Sequence, residues 1–210
     1  MELYKRGSRG EMVKQIQMSL HLYADGIFGI ITEEAVKAFQ TENGLTADGI
    51  VGPATLAKLI PVRFKKSKRR IDYIVVHCSD TPEGRNNTID DIRLWHTMKP
   101  PKGRGWSDIG YHYVIHLDGS IHEGRDVNLI GAHVEDYNAH SIGICYVGGK
   151  SKDMKTNKDT RTDKQKVALM SLLLDLRKLY PTARIVGHHD LDKKGKTCPN
   201  FDAKREYSRI

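Results

Sequence analysis

The chain is poor in the features that would place it in a membrane or in an oxidising compartment. No stretch approaches the run of about 20 apolar residues that a membrane-spanning helix needs. The opening MELYKRGSRGEMV is too polar for a secretory signal peptide. Only three cysteines occur, Cys78, Cys145 and Cys198, an odd number scattered along the sequence. Without an export signal they do not suggest a disulfide framework, and metal binding or burial suits them better. The expectation is a soluble product made in the cytoplasm without a signal peptide. Its 210 residues suffice for one large domain or two smaller ones, each with its own core.

A nucleic-acid binder is equally short of support. The formal net charge of +8 is uneven: residues 1–60 are net −1, residues 61–70 (PVRFKKSKRR) are net +6, and residues 71–210 are net +3. The basic run Arg63 to Arg70 follows Pro61 and reads as a solvated linker that favours anionic surfaces. It lacks interleaved aromatic platforms and a reading helix, so no specific nucleic-acid partner is expected.

The segment before this run contains an internal echo. Asp25-Gly26-Ile27-Phe28-Gly29 aligns with Asp48-Gly49-Ile50-Val51-Gly52, each followed by a threonine three residues on. Each copy reads as a turn followed by a helix start at Thr32 or Pro53. Apolar faces at helical spacing come from Met12, Val13, Ile16 and Leu20, from Val36, Phe39 and Gln40, and from Leu56, Leu59 and Ile60. A small three-helix domain over residues 1–62 is predicted. GSRGEMVKQIQ, DGIFGIIT and DGIVGPAT resemble the three-helix peptidoglycan-binding module, which implies a cell-wall-binding role.

After the linker, residues 63–70, the pattern becomes that of an α/β domain over residues 71–210. IDYIVVHCS and SIGICYVGG are buried strands, and GYHYVIHLDGSIHEGR is two strands around an Asp118-Gly119 hairpin turn. Thr88 with Asp91 and Thr162 with Gln165 open two helices, and ARIVGHH is the last strand. A mixed central β-sheet flanked by helices is predicted.

Chemistry concentrates at the strand ends. His77 closes the first strand, and GHHDLDKKGKTCPNFD brings His188, His189 and Cys198 close together after the last. His77, His188 and Cys198 would offer two imidazoles and a thiolate and leave a fourth tetrahedral position open, the layout of a catalytic zinc. Strand alternation shows only that one of His188 and His189 faces the metal. It also directs Cys78 away from His77, as a small buried hydrophobe.

VVHCSDT, IRLWH, GWSDIGYHYVI, DGSIHEGR, IGAHVEDYN, SIGICYVGG and GHHDLDKKGKTCPNFD, in this order, resemble the zinc-dependent N-acetylmuramoyl-L-alanine amidases of the type 2 amidase and peptidoglycan-recognition fold, and most closely their phage lysozyme-like branch. The resemblance implies cleavage of the amide between N-acetylmuramic acid and the L-alanine of the stem peptide. It assigns Zn2+ to His77, His188 and Cys198, with His188 preferred over His189 because a glycine precedes it. It places Tyr111 beside the attacking water, Lys196 at the tetrahedral oxyanion, and His133 in the substrate groove. A glutamate base carried by a related cytosolic branch is missing, since the equivalent strand offers Cys145. The expected biology is a monomeric phage endolysin, synthesised in the host cytoplasm and acting on bacterial peptidoglycan after release. The alternative is a non-catalytic peptidoglycan-recognition protein of the same fold.

Overall fold

In the computed structural model the described residues are 3–59, 64–208 and 210. They fall into two compact units, Met1–Phe64 with Met170–Leu179 and Arg209–Ile210, and Lys65–Leu169 with Tyr180–Ser208. Among the described residues no helix is long and apolar enough to cross a membrane.

The first unit carries α1 (Glu11–Ser19), α2 (Ile30–Glu42) and α3 (Pro53–Leu59). Met12, Val13 and Ile16 of α1 meet Phe28, Val36, Val51 and Leu59 in one buried cluster. The internal echo is a structural repeat built on glutamines. Gln17 Nε2 donates to Asp25 Oδ1 (2.8 Å), Ile27 O (3.1 Å) and Thr32 Oγ1 (3.1 Å), while its Oε1 accepts from Gly26 N (2.9 Å). Gln40 repeats the set with Asp48 Oδ1 (2.8 Å), Ile50 O (3.0 Å), Thr55 Oγ1 (3.0 Å) and Gly49 N (2.9 Å). Gly26 and Gly49 hold φ of 76° and 75°, the left-handed turn that lets each loop close over its glutamine. Thr32 therefore does not open its helix; α2 starts two residues earlier, and Thr32 turns inward to Gln17. Ile60, Pro61 and Arg63, assigned to the last apolar face and to the linker, lie outside the described residues.

The second unit is built on a five-stranded sheet, and the long helix that follows the sheet's fourth strand in chain order is divided, its Met170–Leu179 part grouping with the first unit. Along the chain run β1 (Tyr73–Cys78), β2 (Thr81–Pro82), α4 (Ile89–Thr97), β3 (Tyr113–Ile115), β4 (Ile121–Glu123), β5 (Ser141–Tyr146), β6 (Gly149–Lys150), α5 (Asp163–Leu179), β7 (Arg184–Gly187) and α6 (Ala203–Glu206). The sheet order is β4-β3-β5-β1-β7. β3, β5, β1 and β7 run parallel and β4 pairs antiparallel at the edge. β1 and β5 are almost wholly buried, which explains their unbroken apolar sequences. β2 and β6 form a separate parallel pair.

Local signals hold the helices in place. Thr88 and Asp91 form a reciprocal capping box at α4. Thr162 and Gln165 do the same at the start of α5, and the fully buried Gln165 amide also reaches Ile115 O (3.1 Å) and Val147 O (2.9 Å), tying that helix to the ends of β3 and β5. The Asp118-Gly119 turn closes through Gly119 N to His116 O (2.9 Å).

Within the second half of the basic run, Lys68 and Arg70 are exposed, but Ser67 and Arg69 are anchored. Ser67 is 6% exposed, its N accepted by the Tyr180 hydroxyl (2.6 Å) and its Oγ donating to Val127 O (2.6 Å). Arg69 donates to the carbonyls of Val127, Asn138, Ala139 and Ser141. Charge pattern alone misread these residues: a guanidinium with several donors satisfies carbonyls that the loop before β5 leaves unpaired.

Candidate metal centre

Parallel pairing aligns the carboxyl ends of β1 and β7, and the chain leaves β7 directly into a 3-10 turn, His188–Asp190. His77, the penultimate residue of β1, and His188, the first of that turn, thus meet at one rim of the sheet. The loop after the turn returns Cys198 to the same rim. One ligand atom from each of His77, His188 and Cys198 lies within 4.8 Å of the others. His77 Nδ1 is 3.1 Å from His188 Nδ1 and 3.9 Å from Cys198 Sγ. Tetrahedral zinc with its usual bond lengths requires separations of about 3.3 Å between nitrogens and about 3.6 Å between nitrogen and sulfur. Both separations measured from His77 therefore fit such an ion within a few tenths of an ångström.

Burial prepares these donors. It drives His77 well below the usual histidine range, helped by His133 and His188 beside it, and lowers His188 to about 4. Both imidazoles are neutral at pH 7 and keep a lone pair for a cation. The neighbouring Cys78 thiol and burial push Cys198 upward, so its ionisation waits on a cation. The Cys78 amide already donates to Cys198 Sγ (3.2 Å), a bond that favours the thiolate.

Cys78 itself is buried but not remote. Alternation does separate it from His77, yet the Cys198 loop crosses the end of β1 and reaches both sides of it. Asn200 Nδ2 donates to the Cys78 sulfur (3.5 Å) and to Gly149 O (2.7 Å), pinning that crossing. His189 points elsewhere: its Nδ1 lies 3.2 Å from Cys198 O and its Nε2 3.5 Å from Asp190 Oδ1.

The remaining expected residues surround the cluster. Tyr111 precedes β3 rather than lying in it, because ladder pairing begins only at Tyr113. Its ring centroid is 5.1 Å from that of His77. Burial, with the Cys145 thiol next in effect, raises its hydroxyl well above the usual tyrosine range. Tyr111 is consequently a proton donor at neutral pH. Lys196 is exposed, and its charge helps to lower both His77 and His188. His133 is 8% exposed, with Nδ1 3.0 Å from His77 Nε2 and Nε2 3.3 Å from Ser141 Oγ. Cys145 is fully buried against Ile92, Ile109 and Val114.

A groove of about 690 Å3 opens over the cluster. Trp95, Trp106 and Tyr111 contribute aromatic surface to it, and Arg85, Lys150 and Lys196 contribute positive charge. Sequence reasoning did not single out these tryptophans or Arg85; only their place beside the metal-binding motifs could have marked them.

A rim-mounted set of two imidazoles and a thiol that could hold a metal ion opens to a groove with a lysine at its edge. The model of the N-acetylmuramoyl-L-alanine amidase family matches residues 67–201, and that of a peptidoglycan-binding domain matches residues 9–59. The chain belongs to the N-acetylmuramoyl-L-alanine amidase family. It is 40% identical over 149 residues to the endolysin of Klebsiella phage KP32, covering 70% of this chain and 92% of the relative. It is 39% identical over 148 residues to the endolysin of Escherichia phage T7, covering 70% and 92%. Among solved structures, the Ph2119 endolysin of a Thermus scotoductus bacteriophage matches with a TM-score of 0.54 and 32% identity, over 65% of this chain and 82% of that one. Drosophila PGRP-LB matches with a TM-score of 0.54 and 28% identity, over 71% and 86%. The family and these relatives make the protein a peptidoglycan hydrolase of the endolysin kind, with amidase activity.

Proposed function

We propose that the protein is a zinc amidase of phage lysis that cuts the bond joining the lactyl group of N-acetylmuramic acid to L-alanine, with zinc held by His77, His188 and Cys198. The convergence of those three ligand atoms within 4.8 Å at the base of an open groove carries this reading. When bound, zinc supplies a Lewis acid that acidifies water and polarises the scissile carbonyl. The chain's own groups do the rest. Tyr111, held protonated by burial, donates a hydrogen bond at the reacting centre. Lys196 brings a fixed positive charge to the groove edge, where the carbonyl oxygen becomes negative. Arg85 and Lys150 suit the carboxylates of a stem peptide.

Residues 1–62 are proposed as a peptidoglycan-binding module, residues 63–70 as a basic connector and residues 71–210 as the catalytic domain, so that wall binding concentrates the catalyst on its substrate. The protein is proposed to work as a monomer, made in the host cytoplasm and released to the wall. Stripping zinc from the full chain with a chelator is expected to abolish release of stem peptides from purified sacculi while sedimentation with them persists, and added zinc restores release. Unchanged hydrolysis after metal removal overturns the metal assignment. Binding without hydrolysis even with zinc favours the non-catalytic recognition reading, against which Cys198, Tyr111 and Lys196 all stand.

A further inference from the structure

His133 lines the groove, and both of its ring nitrogens are engaged inside the protein. Its Nδ1 is 3.0 Å from His77 Nε2, and its Nε2 is 3.3 Å from Ser141 Oγ. The Ser141 hydroxyl lies 2.8 Å from Tyr137 O. A carbonyl can only accept, and this contact is the shorter of the two at Ser141, so the hydroxyl proton goes to Tyr137 O. Ser141 Oγ then accepts from His133 Nε2–H. With its one proton on Nε2, His133 presents a bare Nδ1, which accepts from His77 Nε2–H. His77 is left with its lone pair on Nδ1, the atom facing His188 Nδ1 and Cys198 Sγ.

The ring of His133 has little freedom to do otherwise. A Cβ at Gly143 would stand 2.6 Å from His133 Cγ, and one at Gly131 would stand 2.5 Å from its Cδ2. Neither glycine has a positive φ, so it is the imidazole, not the backbone, that calls for glycine there. Asn138 Oδ1 accepts from His133 N (2.8 Å) and Val134 N (3.0 Å), holding the backbone that carries the ring. His112 packs edge-on against it, ring centroids 5.6 Å apart.

We propose that His133 is a positioning residue of the metal centre: the directional chain Tyr137 O, Ser141, His133 fixes the tautomer and ring plane of His77 and makes Nδ1 its ligating atom. An imidazole here occupies the place that a carboxylate or backbone carbonyl commonly takes behind a metal-bound histidine. Its proton inventory is set from a main-chain carbonyl in the loop that precedes β5. The inference rests on the reading of His77, His188 and Cys198 as the metal site.

The test measures zinc affinity of the full chain by competition with a chromogenic chelator, together with the visible absorption of the Co2+-substituted protein. His133→Leu, which removes the acceptor, is expected to weaken zinc binding by about 10- to 100-fold and to alter the cobalt spectrum. His133→Asn, which restores an acceptor, is expected to recover part of the affinity, and Ser141→Ala to weaken binding less than His133→Leu. Gly143→Ala, whose methyl displaces the ring without removing it, should act in the same direction as His133→Leu. Should His133→Leu fail to fold, Ser141→Ala and Gly143→Ala carry the test. Wild-type zinc affinity and an unchanged cobalt spectrum in His133→Leu, or in both of the other two, overturn the proposal. If instead Cys198→Ala binds zinc as tightly as wild type, the metal-site reading itself fails, which is a distinct result.

Discussion

The two units both bury polar side chains, with opposite consequences. Gln17 and Gln40 are 3% and 1% exposed, and each amide oxygen and nitrogen is consumed within its own repeat. His77 and His188 are buried comparably, at 1% and 8%, but each directs a ring nitrogen at the other and at a sulfur. A closed set of partners is architecture; lone pairs left over and converging on one point are a site. The difference also predicts how each unit fails, because removing a group from the closed set costs stability, and removing one from the open set costs metal and chemistry.

The largest effect is expected where the open set is broken. Cys198→Ala and His188→Ala should each lose most bound zinc, read by elemental analysis, and nearly all hydrolysis of sacculi, because one of three protein ligands is gone. His189→Ala should keep its zinc, since that ring faces Cys198 O and Asp190. The opposite pattern for the two histidines would show that the cluster is assembled differently in solution.

Next in size are the groups that border the cluster without joining it. Lys196→Ala is expected to keep zinc and lower turnover by about 10²- to 10³-fold, the scale for removing one oxyanion-stabilising group. Tyr111→Phe should likewise keep zinc and lose a comparable part of the rate, since it deletes the donor and leaves the ring against His77. Because burial holds the Tyr111 hydroxyl protonated, its contribution should not titrate between pH 6 and 9. Wild-type turnover in both variants at saturating zinc would move the chemistry elsewhere, with Glu123 and Glu135 the next carboxylates to replace.

The third prediction uses acid against the same imidazoles. His77 and His133 are held well below their ordinary value, and His96, His112 and His188 are lowered to about 4, in every case chiefly by burial. The unfolded chain therefore takes up protons near pH 6.5 that the folded one refuses. Stability is fully present above about pH 6.5 and falls as pH drops towards 4, by about 1.4 kcal/mol per pH unit for each extra proton the unfolded chain holds. Thermal unfolding of the metal-free protein at stepped pH should show this decline. A flat profile from pH 7 to 5 would mean that the histidine cluster is open to water.

Much of this was legible beforehand, and the exceptions share a cause. The strand and helix order, both capping boxes and the neighbourhood of the donor trio are written in short-range pattern: apolar runs, threonine with a partner three positions on, and histidines at strand ends, while the choice of His188 over His189 came from family resemblance. What pattern missed depends on partners far away in sequence. Arg69 looks like linker charge until the carbonyls of residues 127 to 141 come to it. His133 does line the groove, but its contact with His77 shows only once β1 brings that ring behind it. Cys78 is core, as its pattern says, but its amide's bond to Cys198 shows only when the Cys198 loop crosses the strand end. Gln40 was counted on an apolar face, although its spacing from Asp48 and Thr55 repeats that of Gln17 from Asp25 and Thr32. That repeat could have been read.

The repeat yields the smallest expected effect and the sharpest contrast with the metal centre. In Gln40→Ala, Gly49 N loses its acceptor, and Ile50 O and Thr55 Oγ1 lose a donor. Asp48 Oδ1 keeps only the Ile50 amide (2.9 Å). Groups at the rim of the loop can recover water, so the cost should be that of one or two unsatisfied buried groups, about 1–3 kcal/mol. Gln17→Ala removes the same set around Asp25, Gly26 and Thr32, and its penalty should match within about 1 kcal/mol, because measured contributions of like interactions scatter by that amount. Both variants should keep wild-type zinc content and wild-type turnover on small soluble muropeptides, since every proposed catalytic group lies beyond residue 70. Denaturant unfolding checks the first statement and zinc analysis with a muropeptide assay the second. A glutamine variant that lost zinc while still folded would show that the closed set and the open set are not independent.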